Sequence, residues 1–435
     1  MYRIVAAAFA VAATGWGTSP LSAQTVAGPP ATMGPVAQGA PPVSSTAKLP
    51  ERLSLAEALA LAAARSPRIV DAQSQVDAAR ARVRQAGFRV NPTLSVEAEN
   101  FLGSGAFEGF RSTELTASIN QQIDLAGHRK ARVSVAEAQL FAETLRLAIA
   151  RADLIQDVRQ RFARAVAARE QLTVARDNAD RSRELARIAG ELVDAGREPP
   201  LRALRARAAL ARERAAVESA QAEEQAARAA LGTLLGSKTP PAQVVGAVEV
   251  PMPASISAPE ALDVLLARAE TAIAEAQVSN ARAEGRVDPS IGLGVKTVRE
   301  TGDVGLVAGI SLPLPVFDRN QGNIAAAGAE RVAAEARLVD VENRTRAEID
   351  TARAELRAAD ARLTALRDSG IGEAKEALRL ADLSYRAGKS SLIELLDAQR
   401  SLALLQTDLI DARRARAEAA AALARLAAPF TQGTN

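Results

Sequence analysis

Residues 127–162 read GHRKARVSVAEAQLFAETLRLAIARADLIQDVRQRF, and the run continues as ARAVAAREQLTVARDNADRSRELARI to Ile188. Neither proline nor glycine interrupts it after Gly127. A helix of this length, at about 1.5 Å per residue, spans on the order of 90 Å, several times the length of an ordinary globular helix. The run therefore predicts one very long helix.

A second long run begins after Gly322 and reaches Ser369, and helical patterning continues through two glycines to Ala387. The two runs occupy matching positions in the two halves of the chain. Two such helices predict a tube or a rod rather than a compact globule, and the rest of the sequence is organised around them.

The composition of the 435 residues fits this prediction, since aromatic residues make up only 3% of the chain. Ala and Leu seams between closely spaced helices must supply the core. Basic and acidic residues alternate along the helices and the net charge is only +3. No basic face interleaved with aromatic residues is present, which argues against a nucleic-acid surface.

The first 23 residues have the pattern of a secretory signal. Arg3 is followed by an apolar segment at 4–13 and by Leu-Ser-Ala at 21–23, a small-residue cleavage site. A membrane-anchoring helix is disfavoured because two glycines and a proline interrupt the run. Residues 24–50, rich in Pro, Gly, Ala and Ser, are predicted to be an extended leader.

The remaining chain divides into two structural repeats, 51–236 and 257–428, separated by a Pro-rich linker at 237–256 and followed by a tail at 429–435. Each repeat is predicted to contain a helix, a β-hairpin, a long helix, a tight turn and another long helix. The hairpins are placed at 93–123 and 290–312, where apolar and polar residues alternate with the period of a strand. The apolar members of this alternation include Leu94, Val96, Ala98, Leu115, Ala117, Ile119, Ile291, Leu293, Val295, Leu306, Ala308 and Ile310.

Four amphipathic strands cannot close a barrel by themselves, and open strand edges are not tolerated in lipid. Three copies would contribute about twelve strands, which fits a closed transmembrane barrel. The apolar rows would face lipid, and the Ser, Thr, Asn and Gly rows would face the lumen. The alternative is a soluble β-layer packed on helices.

Several motifs resemble those of the TolC-family outer-membrane factors over residues 53–427. Tyr385-Arg-Ala-Gly-Lys389 and Leu392-Ile-Glu-Leu-Leu-Asp-Ala-Gln399 are similar to the final turn and the last-helix motif of that family. Three further segments resemble its heavy-metal, CzcC-like branch. They are Asn91-Pro92 with residues 99–107, Asp124-Leu-Ala-Gly-His-Arg-Lys130, and Pro315-Val-Phe-Asp-Arg-Asn-Gln-Gly-Asn-Ile324.

The resemblance implies a mainly α, two-repeat TolC-like fold with a small β part. Three copies would form a long α-helical barrel across the periplasm and a 12-stranded transmembrane β-barrel in the outer membrane. The implied partners are a periplasmic adaptor protein and an inner-membrane pump of the resistance-nodulation-division (RND) type. The implied function is a passive, non-enzymatic exit duct, with heavy-metal cations as cargo. A duct for drugs or organic compounds, and a periplasmic helical scaffold or adaptor, are the alternatives.

The same resemblance points to a gate at the periplasmic end. Glu394 and Asp397, three residues apart on one helix face, match an acidic entrance ring of the family. The equivalent offsets of the first repeat carry Arg202 and Arg205, which we hypothesise pair with these acids. Tyr385 matches a gate residue whose hydrogen bonding ties neighbouring hairpins. An ordinary solvated helix face and a packed aromatic residue are the alternative interpretations.

The two tight turns are the expected adaptor contacts, through Gly196, Arg197, Gly388 and Lys389. Helix termination by glycine is a role compatible with this one.

No cofactor, metal or catalytic site is predicted. His128 is the only histidine and is expected at the start of a helix near the barrel junction. Cysteine is absent, and methionine occurs only at 1, 33 and 252. Soft or imidazole ligand sets therefore cannot be assembled within one chain. The segment around Gly292-Leu-Gly294 lacks the further glycine of a dinucleotide-binding loop, and no nucleophile motif is present.

Overall fold

The structure is a computed structural model that describes residues 49–248, 250 and 256–430. The predicted signal segment, residues 24–48 of the leader and residues 431–435 of the tail lie outside these ranges. The described chain is mainly helical with a small β part, as predicted. None of its helices contains an 18-residue window apolar enough to cross a membrane.

In the first half of the chain, the described residues form three strands and four α-helices. They are β1 (Arg52–Leu53), α1 (Leu55–Arg65), α2 (Pro67–Ala86), β2 (Thr93–Glu99), β3 (Glu114–Gln122), α3 (His128–Asp194) and α4 (Pro200–Leu234). The quoted stretch lies in α3, whose 67 residues span about 100 Å at 1.5 Å per residue.

The second half repeats this order, except that one α-helix instead of two precedes its hairpin and its long helix is interrupted. It contains β4 (Gln243–Val244), α5 (Leu262–Glu284), β5 (Ser290–Val298), β6 (Asp303–Ser311), α6 (Gln321–Ala365), α7 (Ile371–Arg386) and α8 (Leu392–Leu426). A π-helical turn, Leu366–Gly370, joins α6 to α7, so the helical run continues through the glycines as predicted.

Local capping explains where the first helices begin. Ser54 accepts a hydrogen bond from the backbone N–H of Glu57 at 3.3 Å, and the Glu57 carboxylate accepts one from Ser54 N at 2.9 Å. This reciprocal pair is a capping box. Ser66 and Pro67 occupy the N-cap and first position of α2, but the Ser66 side chain makes no capping hydrogen bond.

No pattern in the sequence predicts β1 and β4. The two strands pair in parallel, with Arg52 opposite Gln243 and Leu53 opposite Val244. Each strand has two residues, too few for an alternating pattern to be recognised. Leu53 and Val244 are nonetheless almost fully buried, in a cluster with Val158, Phe162 and Leu231. The pair therefore fastens the linker to the helices of the first repeat.

The four longer strands form one antiparallel sheet in the order β2-β3-β5-β6. The two hairpins thus lie side by side, joined by the β3–β5 pairing. Within the described chain, β2 and β6 each have one edge without a partner strand.

The helices pack through small residues and a partly buried ionic group. In the middle of α3, Ala163, Ala165, Ala167 and Ala168 are all buried, which allows neighbouring helices to approach closely. Arg425 of α8 donates to Asp153 of α3 at 2.7 Å and to Asp263 of α5 at 3.1 Å. This group links three helices, and both carboxylates satisfy the partly buried guanidinium.

Candidate channel wall and helix-tip sites

The four-stranded sheet has one continuous apolar face. The register aligns Leu94 with Ile119, Ile119 with Leu293, and Leu293 with Ala308. These side chains lie largely in the open, and Leu306 on the same face is 90% exposed. Apolar residues so exposed over a whole sheet face mark a surface that is covered in the assembled molecule.

The opposite face of the sheet carries polar and charged side chains. Ser95 lies opposite Ser118, with a hydroxyl–hydroxyl distance of 2.8 Å, and Asn120 donates to Ser95 at 3.0 Å. Gly292 and Gly294 continue this row on β5, where an added Cβ would collide with Asn120 and with the Ala117–Ser118 segment, respectively. Glycine is therefore required at 294, where a backbone oxygen would block a Cβ, whereas at 292 the Asn120 side chain would have to move.

A charged cluster, which no motif in the sequence predicts, lies on this polar face. Glu99 is directly opposite Glu114, and Lys296 lies between them. The Lys296 ammonium is 3.0 Å from a Glu99 oxygen and also forms an ion pair with Glu114. The register of the first hairpin is enough to predict that the two glutamates lie opposite each other. The contact with Lys296 could not be predicted in this way, because Lys296 lies far away in the sequence.

A buried carboxylate organises the junction between the sheet and the long helix. Asp288, 6% exposed, accepts hydrogen bonds from the backbone N–H groups of Leu125 at 3.0 Å and Ala126 at 2.9 Å. His128 is the first residue of α3, as expected, and its Nε2 lies 3.8 Å from an Asp288 oxygen. These contacts hold the segment that follows β3 against the segment that precedes β5.

Asp124 caps the start of α3 in the same junction. Its carboxylate accepts from His128 N at 2.7 Å and from Arg129 N at 3.0 Å. Burial opposes ionisation, but the backbone N–H donors of Arg129, His128 and Gly127 lower the pKa of Asp124 below its ordinary value. The ionised carboxylate therefore satisfies the free N–H groups of the helix start.

The far end of the helices is formed by two turns of the same geometry. After α3, Gly196 N donates to Val193 O at 2.9 Å and Arg197 N to Leu192 O at 2.9 Å. After α7, the bonds from Gly388 to Tyr385 and from Lys389 to Ser384 repeat the pattern, at 2.9 Å and 2.8 Å. Each set is a Schellman motif, which satisfies the last carbonyls of a helix. Gly196, Arg197, Gly388 and Lys389 are all exposed.

Tyr385 lies in a small core that joins the two helix pairs at this end. It is 7% exposed and packs in a cluster with Leu185, Leu392 and Leu395. Its hydroxyl group has no hydrogen-bond partner among the described residues. Burial first, and the nearby Glu198 carboxylate second, raise the pKa of Tyr385, although Arg202 lowers it.

The acidic and basic residues predicted for the gate do not pair within one chain. Glu394 and Asp397 lie on an exposed face at the start of α8, and neither forms an ion pair in the described part of the chain. Arg202 forms an ion pair with Glu198, one turn earlier in its own sequence. Arg205 is exposed and has no ionic partner in the same ranges. The local i,i+4 geometry gives Arg202 a nearer acid than α8 offers.

The described residues contain no group of three or more His, Cys, Asp or Glu side chains that could hold a metal ion. The sites described above are a polar sheet face, a capped junction and a helix tip.

Comparison with known proteins identifies this architecture. The family model described as outer membrane efflux protein matches residues 58–237 and 257–428, the two segments that carry the repeated helix and strand order. The cobalt-zinc-cadmium resistance protein CzcC of Cupriavidus metallidurans is 30% identical over 361 residues, covering 80% of this chain and 84% of that protein. The nickel and cobalt resistance protein CnrC of the same organism is 33% identical over 291 residues, covering 66% and 68% of the two chains.

The fold is that of solved outer-membrane channels. The outer membrane protein VceC of Vibrio cholerae superposes with a TM-score of 0.72 at 20% identity, over 87% of this chain and 97% of that one. The predicted resemblance, TolC-like fold and outer-membrane location are confirmed. Family and fold are those of channel proteins rather than enzymes. The chain belongs to the outer membrane efflux protein family.

Proposed function

We propose that three copies of this chain form the outer-membrane exit duct of a tripartite efflux pump that exports heavy-metal cations. Each copy supplies four strands, and the unpaired edge of β6 in one copy pairs with that of β2 in the next. Twelve strands closed in this way leave no free edge, which is the condition for strands to span a bilayer. The long helices extend the duct into the periplasm, towards an adaptor protein and an RND-type inner-membrane pump.

The observation that carries this proposal is the separation of the two sheet faces. The exposed apolar face, with Leu94, Leu293 and Leu306, supplies a surface for lipid, and the polar face supplies a lumen. A soluble β-layer packed on helices would bury its apolar face against them. Here that face is exposed, so the periplasmic scaffold or adaptor is the weaker alternative.

The charge of the polar face supports a cationic cargo. The rows that alternate with the apolar residues carry Glu97, Glu99, Glu114 and Asp303 as acids, and Lys296 as the one cation. An excess of carboxylates along a narrow aqueous passage concentrates cations within it. The names of CzcC and CnrC, which refer to cobalt, zinc, cadmium and nickel, point to the same class of cargo.

At the tip, we propose that Glu394 and Asp397 of three copies form an acidic entrance ring. Both side chains are exposed, which leaves them available to a lumen. Arg205, and Arg202 if it leaves Glu198, would find these acids only on a neighbouring copy. The Tyr385 hydroxyl is buried and lacks a partner in one chain, so it would gain one only when the helix pairs at the tip move. The exposed turns at Gly196, Arg197, Gly388 and Lys389 are the proposed contacts for the adaptor.

Two measurements test the proposal. The purified protein in planar bilayers under a salt gradient should give a reversal potential of the sign expected for cation selectivity. A reversal potential for anions would contradict the charge argument. In a strain that lacks the gene, the chain should restore resistance to cobalt, zinc or cadmium. Restored resistance to organic compounds alone would favour the drug or organic-compound duct of the same family.

A further inference from the structure

Large apolar side chains remain exposed beyond the end of the sheet, where β6 runs into α6. Leu312 and Leu314 continue the even-numbered apolar row of β6, with Val316 after them. Leu314 is 76% exposed and the adjoining Phe317 is 91% exposed. No described residue covers this loop, although the strand ladder already ended at Ser311.

The first repeat carries the same feature where β3 runs into α3. Leu125 continues the odd-numbered apolar row of β3 and is 73% exposed. A tight turn shapes both connections, because Leu125 N donates to Ile123 O at 3.0 Å and Val316 N donates to Leu314 O at 2.9 Å. We call these exposed side chains the junction collar, which comprises Leu125, Leu312, Leu314, Val316 and Phe317.

The height of the sheet explains why the collar is needed. Strands β5 and β6 have nine residues each. The eight steps between nine residues, at about 3.4 Å each and tilted by about 40°, give an apolar band roughly 21 Å tall. A transmembrane barrel presents an apolar band of about 25 Å, bordered by aromatic residues. The collar supplies the missing apolar height at one end and places Phe317 at the border.

Exposed cations lie beside the collar at the start of the helices. Arg129 and Lys130 follow Leu125 in the first turn of α3, and Arg319 follows Phe317. None of the three forms an ion pair within the described ranges. Arg319 Nε donates to Pro315 O at 3.3 Å, which ties this guanidinium to the collar loop. A border of unpaired cations below an apolar band fits the phosphate groups of a lipid leaflet.

We propose that the junction collar inserts into the periplasmic leaflet of the outer membrane, with Arg129, Lys130 and Arg319 on anionic phospholipid headgroups. The inference rests on the proposed function, since the apolar sheet face must already lie in lipid. It adds a membrane contact below the strands, carried by loops rather than by the sheet. A neighbouring copy of the chain is the competing occupant of the collar.

Tryptophan fluorescence can test the collar because Trp16 is the only tryptophan. In a Trp16→Phe background, single reporters are placed as Phe317→Trp in the collar, Leu306→Trp in the sheet and Val332→Trp on α6. Each protein is reconstituted into vesicles of phosphatidylcholine and phosphatidylglycerol with bromine on the acyl chains. We expect strong quenching for Leu306→Trp and Phe317→Trp, with shallow bromines most effective at 317, and no quenching for Val332→Trp.

The outcomes separate this inference from the proposed function. Quenching of Leu306→Trp without quenching of Phe317→Trp would overturn the collar and leave the channel intact. A blue-shifted but unquenched Trp at 317 would assign the collar to a neighbouring copy and also overturn it. Absence of quenching at Leu306→Trp would reject the channel itself. Moving the bromine from phosphatidylcholine to phosphatidylglycerol should increase the quenching of Phe317→Trp. The triple substitution Arg129→Gln/Lys130→Gln/Arg319→Gln should abolish that increase. Equal quenching by the two lipids would refute the headgroup contact.

Discussion

Gly196 and Gly388 hold the same left-handed conformation, with φ of 68° and 70°, at the second residue after the end of α3 and of α7. In both turns the next residue, Arg197 or Lys389, donates its backbone N–H to the carbonyl five residues earlier in the helix. An internal repeat detected by pattern thus extends to individual hydrogen bonds. The two turns present a basic side chain at the same place, as expected of paired docking elements.

Replacing either turn glycine by alanine should destabilise its helix end. Nothing lies within 4 Å of the Cβ that Gly196→Ala or Gly388→Ala would add, so the cost is in the backbone alone. A non-glycine residue in this conformation costs about 1–2 kcal/mol. Denaturant unfolding followed by circular dichroism should show this loss for each variant.

Gly328→Ala provides the matched control for the turn glycines. Gly328 lies inside α6 with open space around it and no positive φ. The same substitution there should stabilise the helix by about 0.5–1 kcal/mol. Equal effects at all three glycines would contradict the assigned turn geometry.

Tyr385 should titrate above its ordinary pKa. Burial is the main cause, and the Glu198 carboxylate adds to it. Tyr2 is the only other tyrosine, so phenolate absorbance in a Tyr2→Phe background reports Tyr385 alone. Because the folded-state pKa is raised, the neutral phenol favours folding below the unfolded pKa of about 10, and this contribution is lost as pH rises through the folded value.

The Tyr385→Phe variant should lose the absorbance change of the phenolate. It should also lose the part of the destabilisation at alkaline pH that ionisation of Tyr385 causes. A phenolate midpoint at or below about 10 in the folded protein would show that the hydroxyl is open to solvent. That result would contradict its burial between the two helix pairs.

Lys296 should hold two repelling carboxylates together on the lumen face. In Lys296→Met, Glu99 and Glu114 remain directly opposite each other without the intervening cation. Like charges so placed on a sheet cost about 0.2–1 kcal/mol. We therefore expect a lower melting temperature and a higher cation selectivity in planar bilayers.

The double variant Lys296→Met/Glu99→Gln should recover the stability, because only one carboxylate remains in the pair. Arg299→Met serves as the control, since Arg299 lies just beyond β5 and its side chain has no ion pair in the described ranges. A Lys296→Met protein with unchanged stability and selectivity would show that the cluster is an ordinary solvated surface.

The fold could be predicted because its signals are long and periodic. The run from Gly127 lacks any helix breaker, and the alternation around Leu94 and Leu306 has the period of a strand. Both signals depend only on local geometry. The β1–β4 pair could not be predicted, because a strand of two residues is too short to show an alternating pattern. Leu53 and Val244 are nevertheless core residues.

The candidate sites were harder to predict from the sequence, because several of their contacts join residues that are far apart in the chain. Asp288 accepts hydrogen bonds from the backbone N–H groups of Leu125 and Ala126, which lie 163 and 162 residues away in the sequence. Equivalence of position in the two repeats predicts that Arg202 pairs with acids of α8, and that pairing remains a prediction for the assembled copies. Within one chain Arg202 forms an ion pair with Glu198, four residues earlier on the same side of the turn.

Neutralising the proposed entrance ring should weaken the preference for cations. In Glu394→Gln/Asp397→Asn, three assembled copies would lose six carboxylates at the narrow end of the duct. We expect a several-fold fall in the cation-to-anion permeability ratio and reduced metal resistance in cells. Glu218→Gln, on an exposed site of α4, is the control and should leave both unchanged. An unaltered ratio in the double variant would assign these acids to a solvated helix face.

The central claim is that three copies close one barrel in lipid, and the mass of the purified protein tests it most directly. Light scattering in detergent, corrected for bound detergent, should give three chains per particle, and the particle should aggregate when detergent is removed. A monomer or dimer that stays soluble without detergent would contradict the shared barrel and return the chain to the class of periplasmic scaffolds.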